Sequence, residues 1–317
     1  MGRVVAIRPE VSILQEFETF IGAKDPKTVR IYMTVLYDLI GWISMKPGGS
    51  PFHVGLLTQT AIKGYIDYLA EIGRAPRTRT KALSAINKFC RWAIDEGHMR
   101  RNPASQIERP AVINIAPREL SENQRYIMKN LVEKQDDLRL SAIFALAYWA
   151  GLRISEVATL KVEDCELNQR AGSITVRDSK QGKTRILDLH NEARRALYDY
   201  MESIDMTSPY IFTGQRAKRL RENSKPDNIS ERGIEHLWKK LRETASVQEW
   251  EFIKDIRYHD LRHDWAHRAR AAGWSLEEIA VYLGHQTKDG APAIGTTVRY
   301  TLPSRQQIKD RLQTLRG

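Results

Sequence analysis

Apolar positions recur at helical spacing through most of the chain. Val11, Leu14, Phe17, Phe20 and Ile21 fall on one face of a predicted helix over 11–21. Asp25-Pro26 opens a second, with proline in its first turn and Val29, Met33, Leu36, Tyr37, Ile40 and Ile43 as its stripe. The run Pro47-Gly-Gly-Ser-Pro51 stops it. Thr58 is the expected N-cap of a third helix, with Ile62, Ile66 and Leu69 inward and an end near Gly73. In a fourth, over 75–98, Leu83, Ile86, Phe89, Cys90 and Ala93 mark the buried face. Helices without a strand pattern predict an α-helical domain over 1–103, behind a short leader at 1–9. Residues 104–118 carry prolines and little periodicity, and read as an extended linker.

The pattern changes in the second predicted domain, 119–317. Ser121 caps a helix reaching about residue 134. The stretch 138–150 is apolar nearly all round, which predicts a buried central helix ended by Gly151. A new helix starts at 152, with Ile154, Val157 and Leu160 inward. Residues 173–176 and 183–189 alternate around a polar turn, predicting a hairpin with Lys180 near its tip. Helices are then expected over 191–204, 230–246, 258–272, 275–283 and 303–315. A short apolar run at 209–213 leads into a basic loop at 214–228. The fold class is mainly α with a small antiparallel β-sheet.

Charge adds a partner. Lys and Arg outnumber Asp and Glu 50 to 39, a formal charge of +11 over 317 residues. That favours a polyanion, with nucleic acid ahead of an anionic membrane. Arg77, Arg79, Lys81, Lys88 and Arg91 surround the core stripe of the fourth helix. Such a helix can lie against phosphates or in a major groove; the plain alternative is a solvated face. The two cysteines, Cys90 and Cys165, lack metal-ligand spacing, so neither a zinc site nor a disulfide framework is expected. With no signal peptide and no apolar run of about 18 residues, the chain reads as soluble and intracellular.

The chemistry gathers near the end. Arg257-Tyr-His-Asp-Leu-Arg-His263 is followed by Leu283-Gly-His285 and then by Tyr300. On a helix, His259 and Arg262 share one face, one turn apart. A guanidinium can hold two phosphate oxygens, and an imidazole can move a proton near neutral pH. Earlier, Arg153 and Glu156 stand three apart, so the carboxylate can fix the guanidinium; alternatively they form an ordinary surface ion pair. The residues read as a protein that cuts and rejoins DNA with Tyr300.

The order of these motifs resembles the tyrosine recombinase (phage integrase) family. The matching pieces are Ala150-Gly-Leu-Arg-Ile-Ser-Glu156, Ser179-Lys-Gln-Gly-Lys-Thr-Arg185, His259-Asp-Leu-Arg-His263, Leu283-Gly-His285 and Thr296-Thr-Val-Arg-Tyr-Thr301. The resemblance covers the whole second domain, and the first looks like the family's helical, SAM-like core-binding domain. It puts the catalytic set on Arg153, Lys180, His259, Arg262, His285 and Tyr300, with Glu156 behind them. It implies metal-free, cofactor-free cleavage of double-stranded DNA at a specific site through a 3′-phosphotyrosine, and rejoining without ATP. It further implies a homotetramer on DNA or an assembly with a related recombinase, with or without accessory proteins. The C-terminal helix would dock on a neighbouring protomer, in a cytoplasmic, nucleoid-associated setting. Two features depart from the pattern. The stretch from His285 to Tyr300 is long, and residues 288–295 read as an insertion. The front leaves no room for a separate arm-binding domain, so a two-domain, Xer-like plan is expected. A type IB topoisomerase shares the chemistry but relaxes supercoils as a monomer. A catalytically silent DNA binder would fit the stretched spacing, and a metal-dependent nuclease lacks ligands here.

Overall fold

The computed structural model describes residues 9–111, 119–178, 183–205, 208–214, 228–287 and 289–301. Lys180, most of the basic loop and the helix expected over 303–315 lie outside them. The chain divides into two compact units, Met1–Asn114 and Ile115–Gly317. It is mainly helical with one small antiparallel sheet. No helix among the described residues is long and apolar enough to cross a membrane.

The first unit holds α1 (Pro9–Ile21), α2 (Pro26–Ser44), α3 (Gln59–Glu71) and α4 (Pro76–Asp95). Proline opens α2 and α4, where its missing N–H costs nothing. Thr58 Oγ1 accepts the Ala61 amide at 3.1 Å and caps α3. Phe17 and Phe89 meet edge to face, with centroids 5.2 Å apart, beside Trp92. The stripe on α2 differs from the expected one: Leu39 is fully buried and Tyr37 is half exposed. The buried arc centres between Leu36 and Ile43, which leaves Tyr37 beyond its edge. Ala104 is buried in this core and Ile107 packs on it.

The second unit is built around α6 (Leu138–Tyr148), which follows α5 (Glu122–Lys134) and is buried from Ala142 onward. Gly151 then takes φ +62, and the chain turns back into the short α7 (Ile154–Ala158). A Cβ on Gly151 would stand 2.9 Å from Leu283 Cδ2 and 3.1 Å from Trp265, so only glycine fits this turn. Next come β1 (Cys165–Leu167), β2 (Gly172–Asp178) and β3 (Lys183–Asp188), paired antiparallel in that order. With three residues, β1 is too short to show an alternating pattern, so its sequence carries no strand signal. Val176 faces Arg185 across the β2–β3 ladder, and Ile174 faces Leu187. The pleat therefore turns Arg185 inward with Leu187, while Ile186 stands in solvent.

Helices α8 (Asn191–Glu202), α9 (Glu231–Glu243), α10 (Val247–Ile253), α11 (Tyr258–Ala271), α12 (Leu276–Leu283) and α13 (Ile294–Tyr300) complete the described part of the unit. Two were not anticipated. Ser246 and Glu249 form a capping box that starts α10, and α13 begins inside the stretch read as an insertion. Buried Asp264 anchors α11 by accepting from Arg125 and Arg268, each at 2.9 Å, and from the Leu120 amide at 3.1 Å.

Candidate active site

Glu156 is the hub. It lies in α7 with 6% of its surface exposed. Its Oε2 accepts the Arg153 amide at 2.8 Å, and its Oε1 accepts Arg153 Nη1 at 2.8 Å. Arginine has no acceptor to return, so only this half of a capping box forms at Arg153. Arg185 reaches in from β3, Nη1 to Oε1 at 2.9 Å and Nη2 to Oε2 at 3.1 Å. Arg262 Nη1 stands 3.6 Å from Oε2. Burial alone would raise the pKa of Glu156. The hydrogen bonds from Arg185 and the charges of Arg262, Arg185 and Arg153 instead bring it down to about 2. Three guanidinium charges against one carboxylate leave a surplus of two positive charges here. That surplus suits an anion.

Arg262 lies on α11 and is fully buried. Nη1 donates to the Gly151 carbonyl at 2.5 Å and Nη2 to the Leu283 carbonyl at 2.7 Å. Nη2 also meets His285 Nε2 at 3.1 Å, while Nε is buried without a partner. Burial first, then the charge of Arg153, brings its pKa down to about 9, so it stays charged at neutral pH. His285 follows α12, whose end is set by Gly284 in the left-handed region at φ +68. A Cβ on Gly284 would come within 2.8 Å of Arg185 Nη1, so this glycine lets the turn approach the guanidinium. The Arg185 Nε also donates to the Tyr282 carbonyl at 2.9 Å. One side chain thus ties β3, Glu156 and the turn before His285 together. His285 is buried, and burial together with the charges of Arg262, Arg153 and Arg185 brings its pKa down to about 3.

Tyr300 sits at the end of α13 among three imidazoles. Its ring centroid is 4.2 Å from that of His263, 4.7 Å from His285 and 6.2 Å from His259. The Arg262 guanidinium carbon lies 6.0 Å from the same ring. Arg262 is fully buried, while Tyr300 beside it is half-buried and His259 reaches the surface. His259 keeps an exposed edge; burial of the rest of its ring, with the charges of Arg262 and Arg153, holds its pKa below the usual histidine range. The long stretch before Tyr300 has a simple form. Gln286 bridges Pro292, the Thr287 amide donates to the Ala291 carbonyl at 2.8 Å, and the Ala293 amide donates to the His285 carbonyl at 2.6 Å. The extra residues close on themselves, and α13 starts beside His285. Tyr282, the other tyrosine nearby, stacks on Trp265 with centroids 4.5 Å apart, and burial pushes its hydroxyl up to about 12.

Of the residues predicted from sequence, Arg153, Glu156, His259, Arg262, His285 and Tyr300 converge in this one place. Lys180 lies outside the described residues. Two participants went unpredicted. Arg185 was hidden in an alternating strand, though its spacing two before Leu187 puts it on the inner face. His263 follows His259 by four residues on α11, which is the spacing of neighbours on a helix. On α4, Arg77, Lys81, Lys88 and Arg91 share one stripe at helical spacing, with Arg77, Lys81 and Arg91 exposed. Lys88 Nζ lies 5.0 Å from the Phe20 ring centroid. Arg79 departs from the stripe: it projects toward the core side, with Nε buried and unpartnered.

Residues 119–306 match the model of the phage integrase family. The chain belongs to the phage integrase family. Its match spans the site just described, from Arg153 to Tyr300. Curated relatives extend the likeness over both units. Tyrosine recombinase XerA of Pyrococcus horikoshii is 25% identical over 304 residues, covering 95% of this chain and 92% of that one. Tyrosine recombinase XerC of Pelobacter propionicus is 30% identical over 247 residues, covering 77% and 75%. By family and relatives, this integrase-family chain is a tyrosine-type site-specific recombinase, an enzyme that acts on DNA. The fold is shared with a lambda integrase dimer bound to a COC′ core site, at a TM-score of 0.65 and 17% identity, over 91% of this chain and 76% of that one. It is also shared with a lambda integrase tetramer bound to a Holliday junction, at 0.65 and 16%, over 90% and 76%.

Proposed function

We propose that this recombinase cleaves one DNA strand by attack of Tyr300 on the scissile phosphorus. The Tyr300 oxygen bonds to phosphorus as the bond to the 5′ oxygen breaks, giving a 3′-phosphotyrosine and a free 5′-hydroxyl. His259 takes the phenolic proton, and Lys180 protonates the leaving oxygen. Arg153 and Arg262 neutralise the charge that builds on the non-bridging oxygens, and His285 donates another hydrogen bond there. Glu156 holds the guanidiniums. Rejoining reverses the step, with the phosphotyrosine conserving the bond energy. Neither metal nor ATP enters this sequence.

The observation that carries this reading is the placement of the Tyr300 ring among three imidazoles and 6.0 Å from the Arg262 guanidinium, beside a surplus of guanidinium charge. The partner is double-stranded DNA bearing a specific site, gripped by the first unit through Arg77, Lys81, Lys88 and Arg91, with Arg79 in support. Two duplexes exchanging strands need four protomers, which the lambda integrase tetramer on a Holliday junction makes reasonable. The segment 303–315 would join neighbours, residues 104–118 would link the domains, and the work belongs at the cytoplasmic nucleoid.

The test is a nicked suicide duplex carrying the native site, selected from random or flanking DNA. Wild type and Tyr300→Phe are compared on a denaturing gel in EDTA. A covalent adduct with wild type alone is expected. An adduct with both proteins, or one abolished by chelation, overturns the proposal.

A further inference from the structure

The hydrogen positions around His285 can be deduced. Arg262 Nη2 has no lone pair, so at 3.1 Å His285 Nε2 must accept. The neutral ring then carries its proton on Nδ1, which stands 3.0 Å from Thr297 Oγ1. Thr297 is fully buried, and its hydroxyl donates to the Ala293 carbonyl at 3.3 Å. The chain of donors runs one way, from Arg262 through His285 and Thr297 to the start of α13. Thr297 lies one helical turn before Tyr300 on that helix. In the free protein His285 has no hydrogen left for a phosphate. Nδ1–H is used on Thr297 and the Nε2 lone pair on Arg262.

We propose that Thr297 is a positioning residue for cleavage: it fixes the His285 ring with Nε2 toward Arg262 and ties that ring to the helix bearing Tyr300. When a phosphate draws the Arg262 donor away, Nε2 can take up a proton and point it at the anion. The Nδ1–H to Thr297 bond holds the ring in place through that change. Without the hydroxyl, the ring is free to turn over and present the wrong nitrogen. The same bond makes the approach of Tyr300 and the orientation of His285 one event, because Thr297, which holds the His285 ring, and Tyr300 lie on one turn of α13.

This inference rests on Tyr300 as nucleophile, and the experiment separates the two. Thr297→Val keeps the shape and removes the hydroxyl; Thr297→Ser keeps the hydroxyl. Full-length proteins are compared for adduct formation on the suicide duplex under single turnover and for DNA affinity. Nitrogen NMR of the histidine-labelled proteins, with His285→Gln for assignment, reads the tautomer. Thr297→Val is expected to slow adduct formation about 10- to 100-fold with affinity unchanged, as loss of an orienting partner does. The His285 proton should move from Nδ1 to Nε2. Thr297→Ser should restore both rate and tautomer. An unchanged rate or an unchanged tautomer in Thr297→Val overturns the proposal. So does a Thr297→Ser protein as slow as Thr297→Val, which would make the residue a packing element. If wild type forms no adduct at all, the nucleophile assignment fails, and the tautomer still decides whether Thr297 sets His285.

Discussion

Arg185 grips Glu156 from β3 with both terminal nitrogens, at 2.9 and 3.1 Å, and shares Oε1 with Arg153 Nη1. This fork keeps Glu156 ionised in a buried site and fixes its rotamer. Without it, a carboxylate with 6% exposure faces Arg153 and a more distant Arg262. Arg185→Ala should cost about 3 kcal/mol, the order expected when one partner of a buried pair is removed. Arg185→Lys keeps a charge but not the two-pronged geometry, and should recover only part of that. Urea unfolding measures the loss. Full stability in Arg185→Ala would refute the central place given to this pair.

Gly284 is constrained twice, by φ +68 and by Arg185 Nη1 at 2.8 Å from any added Cβ. Gly284→Ala should destabilise the protein by about 1–2 kcal/mol from the left-handed backbone. It should also slow adduct formation, because the turn carries His285. Gly290→Ala is the control: it too has positive φ, at +89, but nothing lies within 4 Å. It should lose stability without losing rate.

Acid should weaken the fold in two stages. His285 titrates at about 3 in the folded protein and near 6.5 when unfolded, so below about pH 6.5 the unfolded chain binds the proton first and stability falls. Glu156 titrates at about 2 when folded, against an ordinary 4.5. Its contribution is complete above about 4.5 and is lost as the pH falls toward 2. Urea midpoints between pH 8 and 3 check this. His259 and His263 are pushed down in the same way, so His285→Gln should make the upper part of the profile shallower without removing it, and Glu156→Gln should flatten the lower.

The cations of α4 should differ in weight. Lys81→Ala or Arg91→Ala should lower DNA affinity for every sequence alike. Each should reduce the slope of log affinity against log salt by about 1, as the loss of one phosphate contact does. Lys88→Ala should do less to the slope, since its ammonium is partly committed to Phe20. Salt titrations with a fixed duplex measure the slopes.

Much of this protein is determined locally. Helix caps such as Ser121, Ser230 and Ser275, the prolines opening α2 and α4, and the apolar run of α6 all act within a few residues, so they are visible in the sequence. The motif residues Arg153, Glu156, His259, Arg262, His285 and Tyr300 are equally visible as types in an order. Their convergence is a tertiary fact, because it depends on Gly151 and Gly284 reversing the chain at positive φ. Short elements escaped for the same reason: β1 and α13 are held by their neighbours, and their own periodicity spans too few residues to register. Arg185 shows the limit most plainly. A strand pattern can tell which face a residue is on, but only the packed structure brings Glu156 to that face. Likewise, only the fold brings a threonine one turn before the tyrosine within hydrogen-bond reach of His285 Nδ1.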